Sequence, residues 1–454
     1  MLTPRFKLEQ DDKFVTVKIY APFTNVSETE VFMDDQDFRF FSKPYFLRLH
    51  FPSQIEENEH ASATFDADSL SFIVKCPKVC QGQFFPNLDM ISELCKPPNS
   101  SVTVPDNLIQ ELDTPAEEEE EEETDWYFEQ KIPSDGENEP EYLSNGIGFG
   151  LNFTNVFERL STECQEVLDV KNPGQLSVEQ RCQQQVTLES QHFDSDHYLS
   201  DLLEPDESLQ EALKFQWKIS LELTDEDRVE LVDMASKGKK SIRKGLRVNT
   251  LCAINEVIFA YCYDLRTNLG EHCSESAWTI AKLCPSLVCS SLASNVKEST
   301  IGSLRRSLIY PLYRSYALST AAFNDTLKVW ASKVSVVKVL LSVIKLFQES
   351  EGRYIFNDLY LQHYLKWIQS VKSEKIADFV QELKLPEKAD LDLDLIELEN
   401  AAELVQRENE HEELIQGIEN LCANQSDSDD DSSSSSSDDE TTDSSETEDD
   451  STPH

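Results

Sequence analysis

The stretch Ser274–Ser315, SESAWTIAKLCPSLVCSSLASNVKESTIGSLRRSLIYPLYRS, lies midway along a helix-rich half of the chain. It contains Trp278, the paired Arg305 and Arg306, and the sequence YPLYR at 310–314. Aromatic residues and prolines in a helical setting fix how helices cross. We therefore predict that the neighbouring helices pack around this stretch in an all-helical domain.

The helical pattern continues on both sides of this stretch. Apolar residues recur three and four positions apart at Leu251, Ile254, Ile258, Tyr261 and Leu265. Val248, Cys252, Phe259 and Cys262 widen that face, so we expect this helix to be central in the core. The complementary pattern, one polar stripe on an otherwise apolar helix, is formed by Ser335, Lys338, Ser342, Lys345 and Glu349.

Local signals predict where several helices begin and end. A helix is expected from Leu151 to the breaker pair Pro173-Gly174, and a capping box at Ser177 and Gln180 should start the next one. Thr224 is the expected N-cap of a further helix. An acidic-sided last helix is predicted from Leu391.

The first 96 residues have a different period. Val15, Val17 and Ile19 alternate with Thr16 and Lys18, and similar alternation recurs at 45–51 and 72–75. A period of two with β-branched and aromatic residues is typical of half-buried strands, and several short strands indicate a β-sandwich. The predicted organisation is a β-sandwich at 1–96, a linker at 97–145, an all-helical domain at 146–422 and a tail at 423–454.

The chain has a strongly negative net charge, which is unevenly distributed. Its 454 residues include 86 acidic and 40 basic side chains, a net charge of −46. Such a surface repels nucleic acid, because duplex binding depends on Lys and Arg neutralising phosphates. It favours a basic partner instead, through long-range electrostatic attraction. We therefore expect no direct nucleic-acid binding.

The predicted linker at 97–145 is the most acidic internal segment. Between 106 and 141 it contains 16 acidic residues and one lysine, and it includes seven consecutive glutamates, Glu117–Glu123. Sparse apolar residues cannot offset the entropy of ordering such a segment, so we expect it to be flexible. Trp126 follows the acidic run within Asp125-Trp126-Tyr127-Phe128. It is either a loosely held aromatic residue or part of a peptide that docks on a folded domain.

The predicted tail at 423–454 is rich in Ser, Asp and Glu and is expected to be disordered. Serines with Asp or Glu three residues later match the preference of acidophilic kinases. Ser426, Ser428, Ser436 and Ser437 in the tail are candidates of this kind. Phosphorylation would add about −1.5 to −2 charge at each site. The alternative is an unmodified, solubilising tail.

No motif in the chain indicates catalysis, a metal or a cofactor. The glycine cluster at 146–150 lacks the preceding strand that a dinucleotide-binding loop requires, and no GxxxxGK[ST] or HExxH sequence occurs. Cys76 and Cys80 have no second matched pair, so a zinc site is not expected. The 11 cysteines are interpreted as reduced thiols, and no apolar run reaches the ~20 residues of a membrane span.

Two groups of residues are candidates for a binding surface. The first is an acidic turn with Asp194, Asp196 and Tyr198. The second is a basic and aromatic cluster, which we interpret either as a specific binding surface or as an internal brace with arginines bridging acidic helices and tyrosines in the core. Its members are Arg305, Arg306, Tyr310, Tyr313 and Arg314.

Several blocks, in order along the chain, are similar to the Shq family of H/ACA ribonucleoprotein assembly factors. They are FSKPYFLRL at 41–49, FDSDHYLSDLLE at 193–204, AYCYDLRTNLGE at 260–271, SAWTIAKLCPSL at 276–287 and YPLYR at 310–314. The resemblance covers most of 1–95 and about 146–410. It implies an N-terminal CS domain, which is an α-crystallin-like β-sandwich, and a family-specific all-helical domain.

The resemblance also implies a function. The family binds the free pseudouridine synthase of H/ACA particles, dyskerin in animals, and covers its RNA-binding surface as an RNA mimic. RuvB-like AAA+ ATPases then help to remove it, and the family is found in nucleoplasm and cytoplasm. We expect a monomeric, non-enzymatic chaperone. The alternatives are a CS-domain co-chaperone of a heat-shock ATPase and, with no supporting motif, an enzyme in the helical half.

Overall fold

The computed structural model describes residues 2–22, 24, 26–67, 69–95, 145–154, 156–159, 166–217, 220–235, 242 and 244–425. The chain divides into two compact units, Met1–Leu395 and Ile396–His454. Antiparallel strands followed by packed helices confirm the predicted fold class. In the described part, no helix combines the length and apolar character needed to cross a membrane.

The N-terminal strands form two antiparallel sheets. The strands are β1 Arg5–Gln10, β2 Phe14–Tyr20, β3 Glu30–Ser42, β4 Tyr45–Ile55, β5 Ser62–Asp66 and β6 Ser71–Pro77. One sheet has the order β1-β2-β6-β5, and the other pairs β3 with β4. The alternation at Val15, Val17 and Ile19 places all three residues in the core. Phe40 and Phe72 join the two sheets, with ring centroids 5.1 Å apart.

Fifteen α-helices are present among the described residues. They are α1 Ile91–Leu94, α2 Val156–Arg159, α3 Val178–His192, α4 Ser195–Leu203, α5 Glu207–Lys214, α6 Asp225–Ala235, α7 Arg247–Thr267, α8 Ser276–Lys282, α9 Pro285–Val288, α10 Val296–Ser307, α11 Tyr316–Trp330, α12 Lys333–Glu349, α13 Gln362–Ser370, α14 Ser373–Glu382 and α15 Leu395–Gln425. A π-helical segment, Asn357–Leu361, leads directly into α13. The capping box predicted at Ser177 and Gln180 starts α3.

Helix α7 is the centre of the helical core, as predicted. Every residue from Thr250 to Arg266 is buried, which leaves the helix no solvent-facing side over four turns. Helices α8, α9, α10 and α11 pack against it. The stretch Ser274–Ser315 therefore forms part of the shell around α7.

The polar stripe of α12 faces α6. Lys338 and Lys345 both bind the buried carboxylate of Asp227, at 2.5 and 3.0 Å. Thr224 and Asp227 also exchange hydrogen bonds in the cap that starts α6, as predicted for Thr224. Burial alone would raise the pKa of Asp227, but its bonds to the lysines and to Thr224 lower it to about 2.

The helix predicted from Leu151 to Pro173-Gly174 is wrong as a single helix. Gly148 and Gly150 have φ of 75° and 64°, a backbone conformation that turns the chain back on itself. Ile147 consequently pairs with Phe153 in an isolated β-bridge. The last helix also begins later than predicted, because Leu391 ends a separate 3-10 turn.

The sandwich and the helices of the first unit share a packed junction. Helix α1 follows the last strand and packs against β4, α6 and α13. The backbone N–H of Ser92 donates to Gln369 Oε1 at 3.0 Å, and Gln369 Nε2 donates to Ser92 Oγ at 3.1 Å. Arg228 on α6 adds a 2.8 Å ion pair with Asp89. The sandwich is thus part of the same compact unit as helices α2–α14.

Candidate client-binding surface

The α4 helix and the YPLYR loop lie against each other, although they are more than a hundred residues apart in sequence. Asp194 is the N-cap of α4 and accepts hydrogen bonds from the backbone N–H groups of Asp196 and His197, both at 3.1 Å. From the loop, the Arg314 guanidinium lies 3.7 Å from the Asp194 carboxylate. The two regions singled out in the sequence therefore form one surface.

Two further contacts fix the loop on α4. The backbone N–H of Arg314 donates to Asp201 Oδ2 at 2.6 Å, and His197 Nε2 lies 2.9 Å from the carbonyl oxygen of Leu312. The Tyr263 hydroxyl on α7 donates to the carbonyl oxygen of Tyr313 at 2.5 Å. The loop is thus bound by α4 at the surface and by α7 in the core.

The outer side of this surface is acidic with an apolar centre. The side chain of Asp194 is 55% exposed, and Asp196 beside it is exposed as well. The backbone N–H of His197 lowers the pKa of Asp194, and Arg314 lowers it further, so the carboxylate is ionised at neutral pH. Leu312 is 72% exposed. Fixed carboxylates beside an exposed leucine form a surface that can bind a cationic protein with an apolar recess.

Tyr198, predicted as a possible contact residue, lies in the interior. It is only 1% exposed and packs against Phe193, with ring centroids 6.2 Å apart. Its position on α4 explains this: it lies on the inward face, whereas Asp196 faces solvent. Tyr198 therefore supports the surface from beneath.

Arg305 and Arg306 are also buried, in an ion-pair cluster between α3 and α10. Arg306 binds Asp169, and its Nη1 lies 3.2 Å from Glu189 Oε1. Arg305 Nε lies 3.2 Å from the other oxygen of Glu189. Tyr310 covers the Arg306 guanidinium, with the ring centroid 4.3 Å from Cζ. This geometry matches the internal brace rather than a client-facing surface.

The charges of this cluster stabilise one another. Burial would raise the pKa of Asp169, but Arg306 and Lys282 outweigh it and hold that pKa below its usual value. Burial also raises the pKa of the Tyr310 phenol to about 12, so the ring is neutral where it covers the cation. The cluster therefore anchors the start of the YPLYR loop, while its later residues reach the surface.

Sequence reasoning missed three residues of this surface. His197, Asp201 and Leu312 connect α4 to the loop. The spacing of four between His197 and Asp201 places both on one side of a helix, which was the available signal. Nothing in the sequence placed Leu312 outside the core. Trp126 and the serines Ser426, Ser428, Ser436 and Ser437 lie outside the described residues.

The described residues hold no cluster of three or more His, Cys, Asp or Glu side chains that could bind a metal ion. The buried thiols are not activated either. Burial raises the pKa of Cys76, Cys252 and Cys289 to about 12 in each case. Thiols with raised pKa values are poor nucleophiles, because the thiolate is the reactive form.

The two halves of the first unit define a class of protein: a CS-type β-sandwich joined to a family-specific helical domain. Residues 3–95 match the model of the SHQ1-like CS domain, and residues 214–395 match the model of the SHQ1 protein, Shq1 domain. The chain belongs to the SHQ1 family of chaperone-type assembly factors.

Relatives named Protein SHQ1 homolog align along most of the chain. The mouse protein is 40% identical over 438 residues, which cover 90% of this chain and 76% of the mouse protein. The Xenopus tropicalis protein is 36% identical, with coverage of 90% and 70%. The Caenorhabditis elegans protein is 34% identical, with coverage of 89% and 97%.

Proposed function

We propose that this chain is an assembly chaperone that binds the free, dyskerin-like pseudouridine synthase of H/ACA ribonucleoproteins and masks its RNA-binding surface as an acidic RNA mimic. The observation that carries the proposal is the acidic surface of α4, with fixed carboxylates beside the exposed Leu312. A protein that binds RNA must present Lys and Arg side chains, and carboxylates can pair with them in place of phosphates.

The remaining elements of the proposal follow from the family resemblance and from the charge. The chain acts without catalysing a reaction, as a monomer, and does not bind nucleic acid itself. RuvB-like AAA+ ATPases help to remove it from the synthase. It works in the nucleoplasm and the cytoplasm. Phosphorylation at Ser426, Ser428, Ser436 and Ser437 would make the tail still more acidic.

A competition experiment tests the RNA-mimic mechanism directly. The full chain is bound to the purified synthase, and an H/ACA-type transcript is then titrated into the complex. We expect the transcript and the chain to displace each other. A ternary complex of chain, synthase and transcript would contradict the mechanism.

Two surface variants test the assigned surface. Asp196→Lys reverses an exposed charge in the first turn of α4, and Leu312→Glu removes the apolar centre. We expect each to weaken synthase binding about tenfold or more. Glu374→Lys is the matched control, because Glu374 is an exposed acidic residue in the first turn of α14. Equal losses for Asp196→Lys and Glu374→Lys would show that only net charge matters.

A further inference from the structure

A groove lies between the sandwich and the helices, with β1 and β2 on one side and α6 on the other. Its cavity volume is about 330 Å³. Arg5, Lys7 and Lys18 line it from the sheet, and Arg228 lines it from α6. Of the described residues that line it, Asp225 at the start of α6 is the one with a carboxylate. This β1–α6 groove is therefore a cationic site in a chain whose net charge is −46.

The strand register concentrates this positive charge. Lys7 lies directly opposite Lys18 across the β1–β2 pair, and Arg5 lies opposite Tyr20. Like charges in directly opposed positions destabilise a sheet. Among the described residues, Glu9 is the one carboxylate that forms ion pairs with these lysines, at 3.3 and 3.0 Å. This described part of the chain thus neutralises the lysine pair only partly, and an anionic ligand would relieve the repulsion.

The groove also offers apolar and aromatic surface. Tyr20 is 41% exposed, and Phe6 and Val229 contribute to the lining. An exposed tyrosine beside a cationic strip can stack with an aromatic residue while the cations bind carboxylates. The complementary ligand is a peptide in which acidic and aromatic residues lie close together.

The chain itself contains such a peptide. Glu117–Glu123 are seven consecutive glutamates, and Asp125-Trp126-Tyr127-Phe128 follows at once. The preceding described residues end at Cys95, directly after α1, and α1 packs against α6, the wall of the groove. The residues between Cys95 and Glu117 could span about 70 Å if extended, so the connection is long enough for the following segment to reach the groove.

We propose that the β1–α6 groove is a docking site for the acidic and aromatic segment Glu117–Phe128 of the same chain. In the docked state the glutamates would pair with Arg5, Lys7 and Lys18, and Trp126 would pack against Tyr20. Tethering on one chain supplies an effective concentration of roughly millimolar, so modest intrinsic affinity suffices. The site is distinct from the α4 surface and does not depend on the function proposed for it.

The test uses a fluorescein-labelled peptide with the sequence of residues 115–130 and measures fluorescence anisotropy at low ionic strength. The receptor is the full chain in which Glu117–Glu123 are changed to Gln and Trp126 to Ala, which removes the tethered competitor. We expect the labelled peptide to bind this receptor and to bind the unaltered chain about tenfold more weakly.

Two variants of the receptor then locate the site. Lys7→Glu with Lys18→Glu should abolish binding of the peptide. The matched control, Lys13→Glu with Lys43→Glu, makes the same charge change at exposed positions of the sandwich outside the groove and should lose no more than about threefold. Circular dichroism confirms that each variant is folded.

Three outcomes would overturn the proposal. The first is a peptide that fails to bind the receptor at all. The second is equal loss of binding in the groove and control variants, which would show non-specific charge attraction. The third is equal affinity for the unaltered chain and the receptor, which would show that the groove takes acidic peptides from another protein and not from this chain.

Discussion

Arg306 is a fully buried cation between two carboxylates, Asp169 and Glu189. Removing one partner of a buried ion pair leaves an uncompensated charge in a medium that solvates it poorly. We expect Arg306→Met to lower the free energy of unfolding by about 3–5 kcal/mol, because the two buried carboxylates lose the cation that they share and keep only Lys282 on Asp169 and Arg305 on Glu189. Chemical denaturation measures the change.

The control for that variant is the same substitution at an exposed ion pair. Arg407 lies 3.2 Å from Glu403 on α15, and both side chains are more than 60% exposed, at 72% and 62%. Arg407→Met should therefore cost less than about 0.5 kcal/mol. Comparable losses in the two variants would contradict the assignment of Arg306 as the internal brace.

Glu256 makes the free energy of unfolding of the protein depend on pH. Its side chain is fully buried on α7, and burial raises its pKa to about 7 despite hydrogen bonds from Ser286 and Ser299. The pKa of Glu256 is higher in the folded than in the unfolded state. Its contribution to the free energy of unfolding is therefore fully present below about pH 4.5 and is lost as the pH rises through about 7.

Glu256→Gln should remove that dependence. We expect the variant and the unaltered chain to be similarly stable near pH 4.5, and the variant to be more stable at pH 8 by an amount on the order of 3 kcal/mol. Unfolding curves at several pH values give the difference in the free energy of unfolding between the two proteins. Contributions of other titratable groups cancel in this difference, because both proteins contain them. A difference that does not change with pH would show that Glu256 is ionised in the fold.

At the scale of elements, α1 joins the sandwich to the helices through the paired hydrogen bonds of Ser92 and Gln369. Gln369→Leu leaves the buried N–H of Ser92 without its partner and should cost about 1–3 kcal/mol. We expect faster amide hydrogen exchange at 90–95, measured by mass spectrometry. Gln362→Leu, near the outer side of the same helix, is the control and should leave exchange at 90–95 unchanged.

Elements were predictable from sequence where one physical signal dominated. The alternation of apolar and polar residues around Val17 correctly predicted β2, and the wide apolar face around Ile258 correctly predicted that α7 is buried. The helix predicted from Leu151 fails at its start because Gly148 and Gly150, with positive φ, turn the chain so that Phe153 pairs with Ile147. A single sequence shows only that glycine permits such a turn. The predicted start of α15 was too early because Leu391 lies four residues before Leu395, a spacing that also occurs within helices. In the structure Leu391 belongs to a separate 3-10 turn.

The candidate surface was predictable only in part, for a similar reason. Asp194 and Asp196 are polar residues at a helix start, which the sequence shows directly. The burial of Arg306 and the exposure of Leu312 run against their usual preferences, and the burial of Tyr198 could not be decided because tyrosine is intermediate. Such reversals depend on contacts between residues far apart in sequence, for example Arg306 with Asp169.

For the whole molecule, the net charge of −46 leads to a prediction about binding. If carboxylates on the chain pair with Lys and Arg on the synthase, added salt must screen the attraction. We expect the dissociation constant to rise about tenfold or more between roughly 0.05 and 0.3 M salt. Isothermal titration calorimetry at several salt concentrations measures it, and an affinity independent of salt would contradict electrostatic mimicry.

The junction at α1 also determines how the molecule responds to a protease. The residues up to 95 and the residues from 145 to 395 belong to one compact unit, and they are joined by the contacts of Asp89 with Arg228 and of Ser92 with Gln369. Cleavage within that interval breaks the covalent connection but none of these contacts. The two resulting fragments should elute together from a sizing column and separate only when denaturant is added.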